Sequence, residues 1–232
     1  MLTLFHAPTT RSFRIKWLLK ELGLAYEERV LDFYGNDRHQ PDYKRFNPMA
    51  SFPTLLDGDL ALTESGAMIN HILTNHGGGR FRPAPGSREA ALVDEWMYWS
   101  EGLFAVHQRY YWDHCAPPPK CIIDPIPSVG EEGKRQALRY ARMLEDALRE
   151  DGFAVGDGLT GADFMLCFPL FLANASGWFK ELPRIKAYVK RFSARPAFQD
   201  AIADTLSWMR DAASGGTPRP SFRYADLADM RG

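Results

Sequence analysis

The chain opens on a short apolar run, Leu2 to His6, long enough for one strand. It passes into Ala7-Pro8-Thr9-Thr10-Arg11-Ser12, a turn whose hydroxyl residues suit the start of a helix. Ile15, Leu18, Leu19 and Leu22 then recur at the spacing of one helical face, and Gly23 stands where a left-handed closing residue is wanted. Tyr26 to Leu31 is a second, less marked strand candidate. Strand, helix and strand in succession form the unit that yields a parallel pair. After a polar, irregular stretch from Phe33 to Met49 come two short apolar runs, Phe52 to Leu56 and Leu60 to Leu62. Asp57-Gly58 between them predicts a β-hairpin. Glu64-Ser65-Gly66-Ala67 opens another helix, with Met68, Ile69, Ile72 and Leu73 on one side.

Residues 1–76 thus read β-α-β, then β-β-α, a small mixed sheet in the thioredoxin-like order. Residues 77–87, from Gly77-Gly78-Gly79 to Pro85-Gly86, are rich in helix and strand breakers and read as a linker. From 88 to 206 the pattern is helical. Leu92, Trp96, Trp99 and Leu103 make one stripe, and Ala137, Ala141, Leu144 and Leu148 another. Gly161 to Asn174 is apolar nearly all round and predicts a helix buried at the centre of an all-α domain. Pro183 and Pro196 each suit a first helical turn, before Ile185, Tyr188, Val189 and Phe192 and before Phe198 and Ile202. Cys115 to Val129, with Pro117-Pro118-Pro119, cannot be regular helix throughout. Residues 207–232 are a tail, Gly/Pro-rich from Ser214. No internal repeat is visible.

Composition narrows the function classes. Lys and Arg number 28 against 29 acidic residues, so nothing points to a nucleic-acid or anionic-membrane partner. No apolar run reaches the length of about 18 residues that a membrane span needs, and the start lacks a signal-peptide pattern. Three cysteines, Cys115, Cys121 and Cys167, are too few for a disulfide scaffold. The six histidines are scattered, and neither Cys-x-x-Cys nor His-Glu-x-x-His occurs, so no metal is expected. The expectation is a soluble, cytoplasmic enzyme.

Three motifs carry a resemblance: Asn47-Pro48 followed by Phe52-Pro53-Thr54-Leu55, then Glu64-Ser65-Gly66-Ala67-Met68, then Thr160-Gly161-Ala162-Asp163-Phe164. Each is short, but their order and spacing match. From Met1 to Leu206 the chain resembles glutathione S-transferases. Thr9-Thr10-Arg11-Ser12-Phe13-Arg14 and Cys167-Phe168-Pro169-Leu170 look most like a bacterial and fungal branch related to a yeast transferase. The resemblance implies glutathione as co-substrate, an apolar electrophile as second substrate, a role in detoxification, and a homodimer.

It also implies a site. Phe52-Pro53 matches the family's cis-proline, a turn that exposes the main-chain groups of Phe52 to the cysteine of glutathione. Ser65 and the helix N-terminus behind it match the site of the γ-glutamyl carboxylate, and Glu64 that of its ammonium. Taken alone, Glu64-Ser65 reads equally well as an ordinary N-cap. Ser51 is shorter than the residue the family commonly uses for the glycine carboxylate, which leaves His39, Gln40 or Lys44 for that task. The reaction needs the thiolate, and a thiol with a pKa of about 8.5 is only a few per cent ionised at neutral pH. One hydrogen bond to a charged acceptor is worth about 1.5–3 kcal/mol, enough to ionise much of it. Counting back from Arg14, the family's catalytic hydroxyl falls on Thr9, then Thr10, with Ser12 third. The rival reading is that these hydroxyls only cap the helix.

In the helical half, Thr160 to Asp163 is a capping box and reads as structural. Tyr110, Tyr111 and Trp112 lie off the core stripe and are candidates for the electrophile site. The segment from 115 to 129 is either a cover over that site or an ordinary surface loop. Two other functions share the fold: a glutathione-dependent disulfide or peroxide reductase, and a non-catalytic ligand binder.

Overall fold

Strand β1 (Leu2–His6) is buried at all five positions, and an apolar strand buried on both faces belongs in the middle of a sheet. It pairs in parallel with β2 (Tyr26–Val30) and antiparallel with β3 (Thr54–Asp57), which turns through Gly58-Asp59, one residue later than expected, into β4 (Leu60–Leu62). The sheet order is β2-β1-β3-β4. The computed structural model describes residues 1–115 and 124–213. The triple proline, Cys121 and the tail from Ser214 lie outside the described residues, as do the readings made of them.

The described chain forms two compact units, Met1–Gly78 with Pro196–Ala213, and Gly79–Arg195. In the first, α1 (Ser12–Leu22) closes on Gly23 at φ 66°, as its sequence predicts. A short α2 (Pro41–Lys44) lies in the polar stretch, and α3 (Ser65–Asn75) buries Met68, Ile69, Ile72 and Leu73. Helix α9 (Pro196–Ala213) belongs here too. Its Phe198 meets Phe13 and Trp17 edge-on, with ring centroids 4.9 and 5.3 Å apart. With β1, α3 and α9 all packed on α1, even Arg14 and Lys16 are buried. The helical pattern up to residue 206 groups this helix with the helical half, and the structure corrects that. A helix stripe says that a face is buried but not which element covers it.

The second unit holds α4 (Arg88–Trp99), α5 (Val106–His114), α6 (Pro127–Ala147), α7 (Gly161–Ala175) and α8 (Pro183–Ser193). Ser100–Ala105 joins α4 to α5 as a wider, π-type stretch. The expected stripe in α4 is off by one residue. Val93, Met97, Ser100 and Phe104 are buried, whereas of the expected stripe Trp99 is buried and Leu92, Trp96 and Leu103 are only half-buried. Helix α7 is buried through Leu170 and runs through Pro169, which has no N–H to give to Met165. Ser100 Oγ donates to that Met165 carbonyl at 3.1 Å instead, and Gln108 Nε2 donates to the carbonyl of Pro169 at 2.9 Å. Ser100 therefore stands in for the N–H that Pro169 lacks, and Gln108 adds a second tie from α5 to α7. Helices α5 and α6 approach closely at Gly133, where a Cβ would stand 2.7 Å from the His107 carbonyl oxygen. Among the described residues, no helix is long and apolar enough to cross a membrane.

Candidate functional site

The turn between β1 and α1 holds three hydroxyls with different surroundings. Ser12 Oγ is fully buried, 2.7 Å from His6 Nδ1 and 3.0 Å from the Ala7 carbonyl oxygen, and it accepts from Ala7 N–H at 3.1 Å. His6 Nε2 in turn lies 2.8 Å from Asp204 Oδ2 on α9. Donation by His6 to this carboxylate leaves Nδ1 to accept from Ser12. Thr10 Oγ1, also buried, lies 2.7 Å from the Ala7 carbonyl oxygen and 2.7 Å from Ser12 Oγ, so its one proton is taken up within the turn.

Thr9 differs. It is half-buried, and no described residue hydrogen-bonds its hydroxyl. Its backbone stands at φ 66°, a region a β-branched residue seldom enters and which costs about 1–2 kcal/mol. Its N–H donates to Thr205 Oγ1 on α9 at 3.2 Å. Strain at one residue, held by a distant element, is the kind of outlier that accompanies function.

Asp204 anchors this arrangement. Burial would raise its carboxyl pKa, but the hydrogen bond from His6 and the charge of Lys16 outweigh that and hold it well below the usual carboxylate range. Lys16 Nζ reaches Asp204 at 2.5 Å and Glu28 at 2.8 Å. His6 and Asp204 escaped the sequence reading, because nothing local joins residues 198 positions apart.

At the start of α3, Glu64 is exposed in an extended conformation, and its side chain caps nothing. Ser65 is buried, and its Oγ accepts from the fully buried Arg14 Nη1 at 3.2 Å. The unpaired N–H groups of a helix's first turn favour an anion, and a guanidinium beneath them adds to that field. In the sequence Arg14 serves only as a landmark; the structure makes it the brace behind Ser65.

The Phe52-Pro53 peptide is cis, as expected. No described residue hydrogen-bonds the main-chain N–H or C=O of Phe52. The loop before it is braced by two buried side chains. Tyr43 donates to the Ser51 carbonyl at 2.5 Å and lies 2.8 Å from Thr54 Oγ1, and Asn47 Nδ2 donates to the same two groups at 2.8 and 3.0 Å. Burial pushes the Tyr43 hydroxyl up to about 12, so it stays a donor. His39 and Lys44 are exposed and Gln40 half-buried on the short helical stretch that carries Tyr43; none bonds to Ser51 or Phe52.

In the second unit the three aromatic candidates part company. Tyr111 meets Trp178 edge-on at 5.0 Å, and Trp112 stacks on the same ring at 6.1 Å. Trp178 is buried, so the two rings pack on the core of the unit. Tyr110 is 45% exposed and instead lines a groove of about 650 Å³ with His107, Glu132, Arg139 and Tyr140. Asp163 does what a structural residue should. Its carboxylate accepts from Thr160 N–H at 2.6 Å, Ala154 N–H at 3.0 Å and Tyr188 OH at 2.6 Å.

Comparison with known proteins agrees with this geometry. Residues 1–74 match the family model of the glutathione S-transferase N-terminal domain, and residues 118–196 that of its C-terminal domain. Glutathione S-transferase 1 of Triticum aestivum is 29% identical over 212 residues, covering 84% of this chain and 90% of its own length. The disulfide-bond oxidoreductase YfcG of Escherichia coli is 24% identical, covering 87% and 94%. The glutathione transferase URE2P6 of Phanerochaete chrysosporium, solved with oxidised glutathione, superposes with a TM-score of 0.78 at 24% identity, covering 89% and 96%. With both domain models matched in order along the chain, the protein belongs to the glutathione S-transferase family of enzymes.

Proposed function

We propose that this chain is a glutathione transferase in which Thr9 activates the thiol. In this reading the γ-glutamyl carboxylate binds at Ser65 and the α3 N-terminus, and its ammonium meets Glu64. The cysteine main chain pairs with Phe52, and His39, Gln40 or Lys44 meets the glycine carboxylate. The Thr9 hydroxyl donates to the sulfur, and the thiolate displaces a leaving group from an apolar electrophile. A carbon–sulfur bond forms, the carbon–leaving-group bond breaks with its electron pair, and the thiol proton goes to solvent. Tyr111 and Trp112 supply apolar surface for the electrophile, with Tyr110 as a further candidate. Cytoplasmic location and a homodimer are part of the same proposal.

The observation that carries the reading is the division of labour in the β1–α1 turn. Ser12 and Thr10 are committed to internal partners, and the Thr9 hydroxyl is left over. The test is glutathione binding by calorimetry and turnover of an aryl halide. Binding that weakens in Ser65→Ala and Glu64→Gln, with turnover in the wild type, supports it; absence of binding sinks it.

A second reading has its own support in the likeness to the Escherichia coli disulfide-bond oxidoreductase. The same thiolate would attack a disulfide sulfur, forming a mixed disulfide and expelling the other half as thiolate; a second glutathione thiolate would then resolve it to oxidised glutathione. Turnover of a glutathione-reducible disulfide with little turnover of aryl halides favours that reading.

A further inference from the structure

At the far end of β3, away from the β1–α1 turn, three metal-ligating side chains converge. Asp57, the last residue of β3, His71 on α3 and His76, which closes α3, bring three ligand atoms within 4.8 Å of one another. His71 Nε2 lies 2.9 Å, and His76 Nε2 2.7 Å, from the same atom, Asp57 Oδ2. Two ring nitrogens converging on one carboxylate oxygen is more than either interaction alone would need. From this convergence we infer that Asp57, His71 and His76 form a binding site for a divalent transition-metal ion of the zinc class.

The chemistry of the donors fits. Two imidazoles and one carboxylate are a set suited to a borderline-soft dication, and a protein that supplies three ligands leaves the fourth position of a tetrahedron to water. Bonds of about 2.0–2.1 Å place tetrahedral ligand atoms about 3.3 Å apart. The two pairs at 2.7 and 2.9 Å therefore need to open by only about half an ångström. The side chains are 24%, 19% and 30% exposed for Asp57, His71 and His76, so an ion and its water can enter.

The surroundings favour a cation as well. His76 caps α3, where the helix presents its negative end. His71 Nδ1 contacts the Asn75 side-chain amide at 3.0 Å, an outer partner of the kind that orients a metal-bound imidazole. A flip of that amide would present an oxygen to Nδ1–H once Nε2 binds the ion. The other cluster of this type among the described residues, His6, Glu28 and Asp204, is already served by a cation, because Lys16 bridges its two carboxylates.

The site would tie the end of β3 to the end of α3. The test uses the full chain without glutathione, which itself binds metals. It is titrated with Co2+, followed in the visible range, and then with Zn2+ as competitor. The expected result is one Co2+ per chain with the absorption of a tetrahedral site, displaced by Zn2+. Affinity should fall about tenfold or more in His71→Gln and in His76→Gln, while His107→Gln, in the other unit, binds as the wild type does. Far-UV circular dichroism and melting without metal show that each variant is folded. Absence of saturable binding in the wild type overturns the inference. So does undiminished binding in the folded His71→Gln and His76→Gln variants, which would place the ion elsewhere.

Discussion

Asp204 is a half-buried carboxylate and Asp163 a fully buried one, and their surroundings set them opposite ways. Asp204 is held ionised by His6 and Lys16, so its carboxyl titrates below the unfolded value of about 3.9. Below about pH 4 the unfolded chain takes up a proton that the native chain refuses, so this contribution is present at neutral pH and is lost as pH falls. Urea melts of wild type and Asp204→Asn should differ by a constant amount from about pH 7 to pH 5. The gap should narrow below about pH 4; a gap unchanged at about pH 3 contradicts the account. Asp163 is instead pushed upward by burial, and the hydrogen bonds from Tyr188, Ala154 and Thr160 only partly offset this. Its native carboxyl therefore holds its proton to higher pH than the unfolded one, and its ionisation costs stability rather than adding it. Its value is as an acceptor. Asp163→Ala removes the acceptor of four donors, the Thr160 N–H and hydroxyl, Ala154 N–H and Tyr188 OH, and should cost about 3 kcal/mol in a urea melt, with glutathione thiolate chemistry unchanged. Equal stability would show that these bonds are not what holds the start of α7.

Elements whose apolar positions repeat on one face were legible in the sequence. The buried faces of α3 and α8 fall on the residues their spacing picks out, because a regular helix maps sequence onto surface, whereas α1 is buried beyond its stripe by the elements packed around it. Helix α4 was not legible to the same degree. Its buried positions include Phe104 and Ser100, a polar residue that hydropathy passes over and whose Oγ donates to the Met165 carbonyl one turn before Pro169. This gives a double-mutant test. Ser100→Ala should cost about 1 kcal/mol, the worth of the lost hydrogen bond to the Met165 carbonyl. In a Pro169→Ala background the loss should shrink, because the substituted alanine would supply the missing N–H. Additive losses in denaturant melts would mean that Ser100 does not replace the missing bond.

Across the whole molecule, motif spacing carried the family, the cis peptide and the α3 N-terminus, all of them local in sequence. The β1–α1 turn was legible only as three hydroxyls in a row. What separates them is α9, whose Asp204 and Thr205 arrive from the other end of the chain to engage His6 and the Thr9 backbone. Arg14 behind Ser65 likewise depends on α1 packing against α3. Long-range packing thus leaves the Thr9 hydroxyl without a partner among the described residues, and the proposal that it donates to the glutathione sulfur is the central claim. The most direct test is the ultraviolet thiolate absorbance of bound glutathione against pH in wild type, Thr9→Ala and Thr9→Ser. The account predicts a bound thiol titrating near about 7 in the wild type and Thr9→Ser, and returning toward about 8.5 in Thr9→Ala with glutathione still bound. A lowered value that survives Thr9→Ala would contradict it and pass the role to Thr10, Ser12 or a backbone amide.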